Sequence, residues 1–411
     1  MLFNVTDTFW VGRTLGPDAL AAVSLASYTV WVIISIGELV GVGLTAVAAR
    51  RHGEGDPASA ARAAGTALAM AVVLGLSVAV IGLLSLPAIF RLMLAEGMVA
   101  ELAREFLVIQ LIGATLIYGY FVVTAAFRSA GDTRTPFLLL GASVLLNLVL
   151  DPVMILGWGP MPALGVYGAA LATVLTRGLG FLVGIVLLYR RGGIRLNLDL
   201  RVARTIARIG LPTMLTGVLF SVIYMLLVRE VGRFGTPAIA ALGAGHKIEG
   251  ISYMICVGFG LAAETLVGQN LGAGQPGRAR EAGWLTARIA SVPACALAVV
   301  FLLAPSALVG IFTEDPAVLR DASLYLQAAA VAQLAMAFEN VLEGGLTGAG
   351  YTLYTMIAVV GISSLRVPLA AVVAGAFGLA GIWWMLAITA MARAGAMTAL
   401  WRWGGWERAR A

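Results

Sequence analysis

Asn147 and Asp151 stand four residues apart in an otherwise apolar stretch, so a helix through them presents an amide and a carboxylate on one face. Pro152 follows at once and, lacking an N–H, leaves the carbonyl of Leu148 without its helical donor. A carboxylate, an amide and a loosened carbonyl form a plausible site for a proton or a sodium ion. The competing reading is a buried hydrogen-bond network that only orders helices. Asn4-Val5-Thr6-Asp7 offers a second carboxylate, and two carboxylates brought close would set protonation in competition with cation binding.

Charges in apolar segments are costly and therefore informative. The first half also carries Glu38 and Arg177; the second carries Lys247, Glu249, Glu264, Glu339, Glu343, Arg366 and Arg393. Lys247 and Glu249 are two apart and do not share a helix face, which predicts a lysine–carboxylate pair with another helix. Functional and structural roles weigh evenly for these second-half charges.

The elements that must position these groups are membrane helices. Apolar residues make up 60% of the 411 positions and charged residues 12%, against about 45–50% and about 25% in soluble domains. Spanning stretches fall near 19–49, 60–90, 106–127, 137–157, 163–189, 205–229, 237–267, 282–304, 322–346, 353–376 and 378–400. A twelfth is implied by residues 1–11, which as helix cover only about 17 Å of a core about 30 Å thick. That first helix reads as cropped, by a start placed too late or a missing upstream segment, and it lacks the charged head and cleavage site of a signal peptide.

The chain also repeats itself. A shift of 219 residues carries 41–57 onto 260–276, Ala130-Gly131 onto Ala349-Gly350, and Gly16 onto Gly235. The only long polar connection, rich in arginine, begins at Arg190, and we place the boundary there: an N-terminal six-helix lobe over 1–192 and a C-terminal one over 193–411. An even number of spans per half makes the repeats parallel. Late in each half, Gly165 aligns with Gly378 at a shift of 213. The expected fold is thus an all-α polytopic membrane protein of twelve transmembrane helices, the first cropped, in two parallel six-helix repeats.

The repeat supplies a control. Asp7 maps onto Leu227, and Asn147 and Asp151 onto Arg366 and Ala370, so the carboxylates belong to one copy only. Packing duties should be shared by both copies; a specialised role need not be.

The net charge of +6 encodes topology. Sixteen arginines fall in one set of alternating loops and the C-terminal tail, and six in the opposite set, which places the first set and both termini in the cytoplasm and leaves no nucleic-acid face. The repeated Gly-x-Gly-x-Pro loops end long spans, so a phosphate-binding loop, which needs a strand before it, gives way to a tight turn with proline opening the next helix. In 128–136 (RSAGDTRTP), Thr135 suits an N-cap and Pro136 the first helical turn. Cys256 and Cys295 read as buried free thiols. With two histidines, His52 and His246, a His-rich metal site is excluded; Asp7 with Asp151 as an intramembrane aspartyl dyad is the remaining enzyme reading.

These residues resemble the multidrug and toxic compound extrusion (MATE) transporters. The marks are Asn-x-x-Asp followed by Val11-Gly12-Arg13 and Gly16, the 128–136 segment, the run from Asn147 to Pro152, and Val267-Gly268-Gln269-Asn270-Leu271-Gly272-Ala273-Gly274, a match that runs nearly end to end. The resemblance implies twelve helices in two lobes around a central cavity, and export of organic cations or amphipathic compounds in exchange for H+ or Na+. It implies no catalysis and no cofactor beyond the coupling ion, with the chain a monomer in the cell membrane. It assigns Asp7, Asn147 and Asp151 to an N-lobe ion site, especially in the branch resembling DNA-damage-inducible protein F and archaeal members, and Thr173 to the same cavity. Lys247 and Glu249 are cavity candidates in the second lobe. Another branch uses an acidic residue in the seventh helix, and none occurs between Leu211 and Arg229. A lipid-linked oligosaccharide flippase of the same superfamily is the alternative; it would call for several cavity cations, and only Lys247, Arg177, Arg366 and Arg393 are candidates.

Overall fold

The computed structural model describes residues 10–92, 97–158 and 162–408. Among them every regular element is helical, so the protein is all-α and polytopic. The order is α1 (Pro17–Gly53), α2 (Pro57–Leu92), α3 (Gly97–Ile112), α4 (Ala114–Ser129), α5 (Arg134–Leu156), α6 (Gly165–Arg190), α7 (Leu200–Val231), α8 (Thr236–Gly272), α9 (Pro276–Leu303), the short α10 (Pro305–Gly310), α11 (Pro316–Gly348), α12 (Thr352–Ser364) and α13 (Arg366–Trp403). Among the described residues eight helical stretches are long and apolar enough to cross a bilayer, or nine when α3 and α4, bent by 50° across Gly113, count as one broken span. The remaining difference from the eleven expected spans has two sources. The helical run Thr352–Trp403 counts once although Gly378 breaks it with φ +64°, and α11 carries Gln327 and Gln333 within its apolar stretch and Glu339 at its edge, which lower its hydropathy.

The internal repeat reappears as matched turn geometry. After α1, Gly55 takes φ +76° and the Asp56 N–H donates to Arg51 O at 2.9 Å; after α8, Gly274 takes φ +69° and the Gln275 N–H donates to Asn270 O at 2.8 Å. The pair after α4 and α11 does the same, with Gly131 and Gly350 left-handed and bonds Asp132 N–H to Phe127 O (3.0 Å) and Tyr351 N–H to Leu346 O (2.8 Å). Each is a helix end closed by a six-to-one bond, for which glycine is suited because it has no Cβ to strain the left-handed residue. The turn reading of the glycine loops follows from this geometry: Pro57 opens α2 and Pro276 opens α9.

The cap of α5 differs from expectation. Helix α5 begins at Arg134, so Thr135 lies inside its first turn, and Asp132 accepts instead from the Thr135 N–H (2.9 Å) and hydroxyl (2.6 Å). Thr135 supplies both donors here, and the two oxygens of the carboxylate accept one each. Cys256 is buried as expected, whereas Cys295 is exposed on α9 because it faces away from the helix's packed side.

Two compact units emerge. The first runs to His52 and resumes over Asp56–Val218; the second comprises Gly53–Gly55 and Leu219 to the end. The first half of α7 belongs with the first unit because two glycines let backbones touch. A Cβ on Gly210 would sit 1.9 Å from Leu39 O of α1, and one on Gly43 of α1 would sit 2.3 Å from Ile206 O of α7. In the second unit α11 is central, packed by α8, α9 and α13. There Gly348 and Gly344 approach the carbonyls of Glu264 and Gly260 on α8. Lipid offers no hydrophobic drive between helices, so close backbone approach supplies the packing energy, and glycine abundance serves it.

Candidate functional site

In the first unit the buried face of α5 reads Ser143, Asn147, Asp151 at four-residue spacing. Asn147 and Asp151 have no exposure, and Asn147 Nδ2 donates to Asp151 Oδ1 at 2.8 Å. The shared helix face inferred from spacing is therefore realised as a direct bond. Pro152 is buried within the same turn. The other amide oxygen, Asn147 Oδ1, is buried without a hydrogen-bond partner among the described residues. A buried acceptor without a donor is costly, so a proton carrier or a cation is chemically welcome there.

Helix α6 packs antiparallel on this face. Ser143 Oγ donates to Thr176 O at 3.2 Å, a Cβ on Gly184 would meet Leu139, and one on Gly168 would meet Met154 O. Continuing that register places Asn147 and Asp151 opposite residues 172–176, the stretch that includes Thr173, which is 3% exposed. Arg177 follows on the same buried side of α6. From α4, Tyr120 approaches Gly180 beside Ser143, and its hydroxyl is also buried without a partner among the described residues. The structure thus gathers Asn147, Asp151 and Thr173 in one layer of α5 and α6. Asp7 lies outside the described residues.

Sequence reasoning missed Ser143, Thr176 and Tyr120. Ser143 had a signal, since it precedes Asn147 by four residues and extends the polar stripe. Thr176 and Tyr120 had none, because their relation to α5 depends on how three helices pack.

The second unit differs. Arg366, at the repeat position of Asn147, is 4% exposed; its Nε donates to Thr389 Oγ1 at 2.8 Å and its Nη2 to Leu386 O. Glu339 of α11 pairs with Arg393 of α13 at 3.0 Å, both nearly buried. Tyr224 of α7 bonds His246 Nδ1 of α8 at 2.7 Å, and the Tyr325 hydroxyl of α11 donates to Glu249. The expected lysine pair is not formed: Lys247 is exposed and makes no ion pair among the described residues, while Glu249 turns inward to Tyr325. Two residues along a helix are about 200° apart, so the carboxylate's inward course sends the lysine outward. Among the described residues no three His, Cys, Asp or Glu side chains stand together as metal ligands.

A family model described as MatE matches residues 1–153 and 212–372. The chain belongs to the MatE family. A probable multidrug resistance protein NorM of Thermotoga maritima is 30% identical over 395 residues, covering 93% of this chain and 84% of that protein. An FAD transporter of Shewanella oneidensis is 29% identical over 330 residues, 79% of this chain and 73% of that one. An outward-facing structure of a multidrug resistance MATE family transporter superposes with a TM-score of 0.90 at 26% identity, over 98% of this chain and 91% of its own. A MOP superfamily transporter from Pyrococcus furiosus does so with a TM-score of 0.90 at 25% identity and the same coverage. This MatE chain is accordingly a multi-pass membrane transporter and not an enzyme.

Proposed function

We propose that this MatE protein is a cation-coupled antiporter that exports organic cations or amphipathic drugs in exchange for H+ or Na+. The observation that supports it best is the fully buried Asn147–Asp151 pair on a membrane-crossing helix, with an amide oxygen left to accept. A carboxylate held in a bilayer is expensive unless a proton or cation neutralises it, so its occupancy biases whichever conformation it binds better. Asp7 supplies the second carboxylate and Thr173 lines the same cavity, with Glu249 as a substrate-side group in the other lobe. The lobes, 1–192 and 193–411, rock about a central cleft, with both termini cytoplasmic by the arginine bias.

A second reading, export of an anionic or pyrophosphate-linked substrate, draws on the buried guanidinium of Arg366 and on the FAD transporter among the relatives. Proteoliposomes with imposed H+ or Na+ gradients, tested against organic cations and against dinucleotides, separate the two. Asp151→Asn is expected to abolish gradient-driven cation efflux while expression is retained. Undiminished efflux in that variant refutes the antiport reading, and gradient-driven export confined to dinucleotides transfers the support to the second.

A further inference from the structure

On α9, Arg280, Trp284 and Arg288 follow one another at four-residue spacing, so their side chains stand along one helix face. Arg280 is committed to Glu407 at 2.8 Å. Arg288 is not: neither it nor Arg402, at the end of α13, joins an ion pair among the described residues. Arg402 lays its guanidinium 5.5 Å from the centroid of the Trp284 ring, and Trp284 in turn meets Phe338 of α11 at 6.2 Å. These four side chains line an open groove of about 370 Å³, and a second of about 300 Å³ continues past Arg280 and Leu285. Glu281 lines only the latter.

The groove borders the bilayer. Leu285, Ile289 and Val292, at 53%, 49% and 70% exposure, form an apolar stripe along α9, and Arg288 sits three residues from the first and four from the last. Arg288 lies twelve residues beyond Pro276, about 18 Å along the helix. Its Cβ points back toward the helix start, so the guanidinium reaches to the level of Trp284 and Arg402.

Two uncommitted guanidiniums beside an apolar stripe select the ligand. An organic cation is repelled, and a purely apolar ligand leaves both charges unpaired at membrane depth. A phosphodiester accepts from guanidinium groups in forked geometry, and tryptophan favours the interface where lipid phosphates lie. Basic pockets between membrane helices hold anionic headgroups in this way. We propose that the groove of Trp284, Arg288, Phe338 and Arg402 binds the phosphate headgroup of an anionic phospholipid, its acyl chains lying along the Leu285–Ile289–Val292 stripe. The site is separate from the ion site on α5.

Native mass spectrometry of the full chain, titrated with phosphatidylglycerol or phosphatidylcholine, tests it. Retention is expected to favour phosphatidylglycerol by about tenfold. Combined Arg288→Gln and Arg402→Gln should erase that preference, while Arg278→Gln, outside the groove and bonded to Gln275 at 2.8 Å, should keep it. Equal retention of the two lipids, or an unchanged preference in the double variant, overturns the proposal. So does displacement of the lipid by inorganic phosphate, which would mark a free-anion site. Should the double variant not fold, brominated lipids give a second readout in wild type: quenching of the fluorescence lost in Trp284→Phe should be stronger with brominated phosphatidylglycerol, and equal quenching by both lipids refutes the idea.

Discussion

Removing the Asn147 amide asks whether the pair on α5 holds a charge or merely fills space. The bond to Asp151 is 2.8 Å long and neither residue has any exposure, so water does not replace the lost donor. A hydrogen bond to a charged group contributes about 1.5–3 kcal/mol, and the space left by an Asn→Ala cut adds on the order of 1 kcal/mol. Asn147→Ala is therefore expected to lose roughly 2–4 kcal/mol when Asp151 is ionised. Asp151→Asn preserves shape and lets the amide pair persist without a buried charge, so its cost stays within about 1 kcal/mol. Combining the two removes the donor together with the charge it serves, and the double-mutant cycle should show a coupling of about 1–2 kcal/mol. Thermal unfolding of the purified protein in detergent reads this out, repeated in sodium and in choline salts. A ligand bound only by the folded state adds about 2.7 kcal/mol at a hundred times its Kd. Sodium-dependent stabilisation present in wild type and lost in both single variants identifies Na+ as the ion. Additive single effects, to within about 0.3 kcal/mol, refute the claim that Asn147 serves an ionised Asp151.

Two further predictions follow from local geometry. Gly168→Ala places a Cβ 2.5 Å from the Met154 carbonyl between α6 and α5, where backbone must move, so it should cost about 1–3 kcal/mol in unfolding assays; Gly141→Ala on α5 meets nothing within 4 Å and should be neutral or stabilising by up to about 1 kcal/mol. At the α4–α5 turn, partial burial raises the Asp132 carboxyl, but the Thr135 hydroxyl and N–H, then the bond and charge of Arg191, outweigh it and hold the group below its usual 3.8. A depressed folded pKa contributes stability above 3.8 that is lost as pH falls through and below it, so wild type and Asp132→Asn should differ in Tm near neutrality and converge in acid.

Much of the site was legible because helical spacing alone puts Asn147 beside Asp151, and the repeat alone shows that Arg366 and Ala370 replace them. Thr173 could be named only through the family resemblance; its place opposite α5 rests on Ser143 bonding to Thr176 and on Gly168 and Gly184 setting the register. The Lys247 expectation failed because spacing says which residues diverge and nothing about which one turns inward. Thr135 was misassigned as a cap because its hydroxyl and the Asp132 carboxylate compete for one role, and the better acceptor won.

Composition and period by themselves determined a helical membrane protein, its duplication and the turns that close its helices. These are local or statistical properties: the bilayer demands apolar spans, and a left-handed helix end favours glycine wherever the fold places it. Only the tertiary structure decided that Tyr120 and Ser143 converge on Gly180, that Glu249 bonds Tyr325, and that Arg288, Arg402 and Trp284 frame one groove. Those groups come from different helices, and in lipid their meeting depends on where small residues let backbones close, a geometry that no single helix encodes.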